Sequence, residues 1–267
     1  MKLGVIGCGK MGTALVQGAI RGGVVKSGEV LGVDSAAAAR ESFAKLTGAE
    51  TTASIVDALE GSEVLLLCTK PQDVFSALGS CKLDSGAGKL MISIAAGVTL
   101  ANLEKHTPAN MRVVRTMPNT PALVGKGAAA YCMGSRCVAG DEDVVKALLG
   151  AVGMAVSVPE KLMDAVTGLS GSGPAYVYLI IEALADGGVR AGLPRADAMR
   201  LAAQTVSGAA EMVIQTGEHP AVLKDMVTSP GGTTIAGLSV LEEKNVRSAL
   251  IEAVMMASRR SAELGKG

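Results

Sequence analysis

The chain has 267 residues, enough for one large or two modest domains, and 49% of them are hydrophobic, which supplies a sizeable core. Basic and acidic residues number 25 each, and there are two Phe, three Tyr and no Trp, so the chain lacks the positive footprint and stacking platforms of a nucleic-acid binder. No apolar stretch approaches the length of a membrane span, and Lys10 and several glycines interrupt the opening run, which reads as strand and loop rather than a leader. Cys8, Cys68, Cys81, Cys132 and Cys137 are odd in number and show no paired ligand spacing. Free thiols in a reducing cytoplasm are expected, and no metal site.

In chain order, a short apolar run leads into Gly7-Cys-Gly-Lys-Met-Gly, which places Gly7, Gly9 and Gly12 at the spacing of a dinucleotide fingerprint. There the first glycine makes the tight turn, the second admits a pyrophosphate, and the third lets helix and strand pack closely. Helical periodicity follows at Met11, Ala14, Leu15, Gly18 and Ala19, and a second strand, Val30 to Val33, ends at Asp34. An acidic residue 22 positions after Gly12 stands where an adenine ribose 2′-hydroxyl would be gripped. The bland alternative is a tight turn with no ligand, and Cys8 serves there as a small side chain.

Helical patterns over 36–46 and 55–59 alternate with apolar strands at 64–68, 90–94 and 112–116, which predicts a parallel sheet. In such sheets ligands sit at the carboxyl ends of the strands, so the loops at 7–12, 34–35, 69–72, 95–97 and 117–121 are expected to line one cofactor crevice. This adds Lys10, Met11, Ser35, Thr69, Lys70, Pro71, Ala95, Ala96, Gly97, Pro118 and Asn119 to the candidate cofactor residues. Lys70 is read either as a phosphate partner or as a solvated loop lysine. Asn119, between two prolines, either touches ligand or fixes a turn.

From about 161 the texture turns helical, giving expected domains of 1–160 for dinucleotide binding and 161–267 for dimerisation and substrate. The stretch from Tyr176 is apolar nearly all round and must be covered on every side, which a domain of this size scarcely does alone. A homodimer with interleaved helices follows, its active site where sheet domain meets helices.

Residues 228–238 open a helix with Pro-Gly-Gly-Thr-Thr. Free N–H groups at Gly231, Gly232, Thr233 and Thr234 and the positive helix end suit a carboxylate or phosphate. The alternative is a simple cap by Ser229 or Thr233. No lysine occurs over 162–223, and neither histidine lies in a catalytic motif, so a substrate that needs little activation is expected, such as a protonated imine. Thr234 would hydrogen-bond the ring nitrogen, with Ser229 and the turn holding the carboxylate.

These segments, with Ser93-Ile-Ala-Ala-Gly-Val, Arg115-Thr-Met-Pro-Asn-Thr-Pro, Leu169-Ser-Gly-Ser-Gly-Pro-Ala-Tyr and Leu223-Lys-Asp-Met-Val-Thr-Ser-Pro-Gly-Gly-Thr-Thr-Ile, resemble the pyrroline-5-carboxylate reductases over the whole chain. The resemblance implies an α/β fold, an N-terminal Rossmann-type doubly wound parallel sheet followed by an all-α dimerisation domain. It implies reduction of L-1-pyrroline-5-carboxylate to L-proline with NADPH or NADH by an interlocked dimer, often assembled into a decamer. Carried over residue by residue, it makes Thr234 the partner of the imine nitrogen. It assigns Ser229, Gly232 and Thr233 to the carboxylate loop and Ala95 to Gly97 to the nicotinamide platform. Two departures stand out. The family often has asparagine near Ile55, where this chain offers only Ser54, and Asp34 would repel a 2′-phosphate, which leans the expectation toward NADH although Ser35 and Arg40 are near.

Overall fold

The computed structural model describes residues 1–79 and 88–265, so Cys81 lies outside the described residues. Two compact units divide the chain. The first comprises Met1–Ser172 and the chain from Met256 onward, and the second Gly173–Met255.

The first unit contains β1 (Leu3–Ile6), α1 (Lys10–Arg21), β2 (Val30–Val33), α2 (Ala37–Thr47), β3 (Glu50–Thr52), α3 (Ile55–Gly61), β4 (Val64–Leu67) and α4 (Val74–Gly79). It continues with β5 (Leu90–Ser93), α5 (Leu100–Lys105), β6 (Arg112–Met117), β7 (Gly127–Met133), α6 (Asp141–Gly150), β8 (Gly153–Ser157) and a short α7 (Met163–Val166). The strands form one sheet in the order β3-β2-β1-β4-β5-β6-β7-β8, so the winding reverses between β1 and β4, where Ile6 pairs with Leu67. A ligand crevice belongs at that reversal.

The sheet is not wholly parallel as the sequence reading expects: β6 and β7 pair antiparallel. Residues 118–126 are too short for a parallel crossover, which needs about a dozen residues or more. Instead a 3-10 turn at Thr120–Val124 and the left-handed Gly125 reverse the chain.

Strand side chains alternate between two cores. Leu3, Val5, Val64, Leu66, Leu90, Ile92, Val114 and Tyr131 join one buried cluster with Leu15, Val16 and Phe43 from α1 and α2. Their neighbours Ile6, Leu65, Leu67, Met91, Val113 and Cys132 join the other with Leu59, Val74, Leu78 and Leu103 from α3, α4 and α5. A period of two with helices on both faces is why these strands read as unbroken apolar runs.

The sequence-based division at 160/161 differs from the compact units because residues 160–172 pack on the sheet. Glu160 Oε1 accepts the Leu100 N–H at 2.6 Å and pairs with the buried Arg115 at 3.2 Å. Met163 enters the second core, and α7 continues into a π turn over Thr167–Gly171.

The second unit holds α8 (Gly173–Arg190), α9 (Arg195–Thr216), α10 (Pro220–Met226), α11 (Thr233–Glu243) and the start of α12 (Val246–Leu264), whose residues from Met256 count with the first unit. α8 and α9 form a hairpin in which a Cβ on Gly188 would press on Ala198 and Leu193 at 3.2 Å. Glycine there lets the helices close. The buried hydrophobic side chains of this unit are only Ala185, Ala198 and Ala202, while Tyr178, Leu179, Ile214 and Leu241 are exposed. Among the described residues no helix is long and apolar enough to cross a membrane.

Candidate functional site

The glycine turn after β1 is built by steric necessity. Gly7 has φ +108°, and a Cβ there would lie 2.7 Å from the Cys68 carbonyl carbon and oxygen. A side chain on Gly12 would collide with the Gly7 carbonyl oxygen. Gly9 is the N-cap of α1, carries no side-chain cap bond and has nothing within 4 Å of where a Cβ would stand. The first helix-closing bond runs from the Thr13 N–H to Gly9 O at 2.9 Å, so the N–H groups of Lys10, Met11 and Gly12 have no acceptor within the helix. Open space before uncapped donors at a helix start suits a phosphate.

Around that turn lies a cleft of about 480 Å³ lined by Gly7, Gly9, Asp34, Ser35, Thr69 and Lys70 among the expected cofactor residues. Asp34 is fixed at its edge: Oδ2 accepts the Cys8 N–H at 3.0 Å and Oδ1 the Ala36 N–H at 2.9 Å. Arg40 Nη1 donates to the carbonyls of Asp34 and Ser35 at 2.7 and 3.1 Å, which holds the β2–α2 loop. Thr69 Oγ1 is buried and makes no hydrogen bond among the described residues. A buried hydroxyl without a partner beside a cleft is a polar atom that a bound ligand would satisfy. A dinucleotide therefore fits the residues present.

Other expected cofactor residues have side chains that do not line this cleft. The Cys8 side chain enters the core. Burial and the neighbouring Asp34 carboxylate push its thiol up to about 12, and burial also raises Cys68, so neither is a thiolate near neutral pH. Met11 packs against the same core, whereas Lys10 is exposed. Pro118 is buried, and Asn119 is a clamp: Oδ1 accepts the Ala128 N–H at 2.8 Å and Nδ2 donates to Ser170 O at 3.0 Å. Of the two readings of Asn119, the geometry favours the turn-fixing one. Ala95 is buried, its N–H donating to Ser93 Oγ at 3.3 Å. Pro71, Ala96 and Gly97 line a second cleft.

Sequence reasoning missed Ala53 and Asp73 on the first cleft and reached Ile55 only through the family resemblance. The signal for Ile55 was present in Ser54-x-x-Asp57, a cap pattern. Ser54 Oγ accepts the Asp57 N–H at 3.3 Å and donates to its carboxylate, so Ser54 is spent on α3 and Ile55 presents an apolar side chain instead.

The turn before α11 belongs to the second unit. The Gly232 N–H donates to Ser229 O at 3.1 Å, and Gly231 has φ +69°, so Pro230 and Gly231 occupy the centre of a turn with a left-handed third residue. Gly232 is the N-cap and has no side-chain cap bond; a Cβ on it would strike Ser229 Oγ. Capping is thus not what Ser229 or Thr233 does here. The Ala236 N–H reaches Gly232 O at 3.4 Å, leaving the Thr233, Thr234 and Ile235 N–H groups without helical acceptors. Thr234 is half-buried, and Ser229 and Thr233 are exposed.

Comparison with known proteins bears directly on this arrangement. Residues 160–264 match the family model described as Pyrroline-5-carboxylate reductase dimerisation, and residues 2–97 match NADP oxidoreductase coenzyme F420-dependent. A pyrroline-5-carboxylate reductase of Synechocystis is 50% identical over 267 residues, covering 100% of this chain and 99% of the relative. A solved pyrroline-5-carboxylate reductase from Coxiella burnetii superposes with a TM-score of 0.93 at 33% identity, covering 100% of this chain and 99% of the other. The Plasmodium falciparum pyrroline carboxylate reductase, solved with NADP bound, gives 0.89 at 34% identity, covering 99% and 98%. By full-length identity at this level, the chain belongs to the pyrroline-5-carboxylate reductase family.

Proposed function

We infer that this protein reduces L-1-pyrroline-5-carboxylate to L-proline, the last step of proline synthesis, with a reduced nicotinamide dinucleotide. The observation that carries the reading is the start of α11, where uncapped N–H groups, a glycine turn and two threonine hydroxyls gather on one short segment. The N–H groups of Thr233 and Thr234, at the positive helix end, hold the substrate carboxylate together with Ser229 Oγ, and Gly231 and Gly232 give it room. Thr234 Oγ1 hydrogen-bonds the ring nitrogen and orients the C=N bond. A protonated imine is already electrophilic, so this single polar contact suffices where a ketone would need a lysine or histidine.

The cofactor, when bound, supplies the hydride that adds to the imine carbon. The N–H groups of Lys10, Met11 and Gly12 and the Thr69 hydroxyl would hold its phosphates, with Lys70 nearby. Asp34 and Ser35 would take the adenine ribose, and the small Ala95–Gly97 turn would lie against the flat nicotinamide. Asp34 sits where a 2′-phosphate would be repelled, and Arg40 is bound to loop carbonyls, which supports NADH over NADPH.

The exposed apolar faces of α8, α9 and α11 support a homodimer with interlocked helical domains. Cys8, Cys68, Cys132 and Cys137 are unpaired, in keeping with a reducing cytoplasm. The test is direct: purified protein is mixed with L-1-pyrroline-5-carboxylate and either NADH or NADPH while the absorbance of the reduced nicotinamide is followed. Loss of absorbance, faster with NADH, is the expected result. No oxidation with either cofactor would remove the reductase reading.

A further inference from the structure

The second cleft, of about 700 Å³, lies wholly within the first unit and has a size usual for small-molecule sites. One wall is the Ala96–Gly97 turn. The facing wall is the last turn of α12, with Leu264 Cβ 3.8 Å from where a Cβ on Gly97 would stand. That helix end is anchored, since the buried Ser261 donates its hydroxyl to Asp164 Oδ1 at 2.7 Å. Phe75, Val98, Ala257 and Leu264 make much of the lining apolar, and Arg260 is the single charged side chain among the described lining residues.

We propose that this cleft is the vestibule through which the anionic substrate reaches the nicotinamide turn, and that Arg260 recruits its carboxylate. The inference rests on the reductase reading, because it takes the Ala95–Gly97 turn as the nicotinamide platform. Apolar walls strengthen the pull of a guanidinium on an incoming anion once its own counter-charge is displaced. Arg260 Nη1 is held by Glu263 Oε2 at 2.9 Å, but both side chains are more than half exposed, at 65% and 53%. An exposed pair of this kind is weak, so an arriving carboxylate can take the place of Glu263. Arg260 thus sets the capture of substrate, while the α11 turn holds it during reduction.

The two members of the pair give opposite expectations. In steady-state assays at low salt, Arg260→Gln raises KM for L-1-pyrroline-5-carboxylate by about twofold to fivefold with kcat unchanged, and Arg260→Lys restores most of the loss. Glu263→Gln frees the guanidinium and lowers KM. Added salt erases both differences. NADH affinity, read by fluorescence titration of each variant, stays at the wild-type value. Equal KM in all variants overturns the proposal, as does a KM change of the same sign in Arg260→Gln and Glu263→Gln, which marks a disturbed helix end. A change in NADH affinity in place of KM assigns Arg260 to the cofactor and also overturns it. Failure of the wild-type protein to oxidise either cofactor is a different result, since it strikes the reductase reading before any variant is compared.

Discussion

The two units solve the problem of apolar surface in opposite ways. In the sheet unit, Leu3, Leu66, Ile92 and Tyr131 are wholly enclosed by their own chain. In the helical unit, Leu179 is 67% and Ile214 75% exposed, and the buried hydrophobic side chains are three alanines. Full burial of a leucine or isoleucine contributes about 1.5–3 kcal/mol, so the exposed faces are stabilisation that the helical unit does not gain from its own packing and that the proposed dimer would supply. The cleft proposed for the cofactor accordingly lies within the well-packed sheet unit, whereas the segment proposed to hold substrate sits in the unit whose large apolar side chains are exposed.

The sharpest way to break this comparison is to charge the helical surface. Leu179→Glu or Ile214→Glu is expected to yield a monomer by analytical ultracentrifugation and to abolish turnover, because a charge in a packed interface costs several kcal/mol. An ordinary exposed position changes stability by within about 0.5 kcal/mol. Unaltered mass and activity in both variants would mean that these faces are plain surface.

Next in size is Thr234→Ala. It is expected to lower kcat by roughly one to two orders of magnitude while leaving NADH affinity intact, since Thr234 belongs to the helical unit and not to the glycine-turn cleft. Stopped-flow single turnovers and cofactor titration separate the two effects. A kcat equal to wild type would take Thr234 out of the reaction.

Asp34→Ser acts on the other unit, and its effect is smaller. The ratio of kcat/KM for NADPH over NADH is expected to rise about tenfold. Because Asp34 also holds the Cys8 N–H, the NADH value itself falls as the glycine turn loosens. A constant ratio would place the carboxylate out of reach of the ribose.

The smallest effect concerns the sheet core. The Cys8 thiol is raised from 9.0 to about 12 and Cys132 from 9.0 to about 11, in each case mainly by burial. The unfolded chain therefore releases these protons first, and stability present below pH 9 declines as pH rises toward the folded values. Cys8→Ala should flatten that decline in urea melts between pH 8 and pH 10. A slope unchanged by the substitution would show that Cys8 does not drive it.

Local pattern and tertiary contact divided the determination of this structure between them. The strand Val30–Val33, the glycine spacing of 7, 9 and 12, and the helices of the second unit were readable because apolar period and turn chemistry are properties of neighbouring residues. The strands β3, β7 and β8 were not. Glu50–Thr52 is polar, and Gly127–Met133 is mostly alanine and glycine, so those segments become strands only by pairing with β2 and β6. α6 carried a readable mark in the acidic first turn Asp141, Glu142 and Asp143, and the helical reading passed over it.

At the site, the sequence by itself determined the two glycine turns proposed to hold a phosphate and a carboxylate, since each is made within a dozen consecutive residues. Only the tertiary structure decided which side chains line the clefts. It spent Ser54 on a cap and Asn119 on a clamp, buried Cys8, left Thr69 Oγ1 without a partner among the described residues, and brought Arg260 to the cleft at Gly97 from the far end of the chain. Those outcomes depend on contacts between residues distant in sequence, which no local pattern encodes.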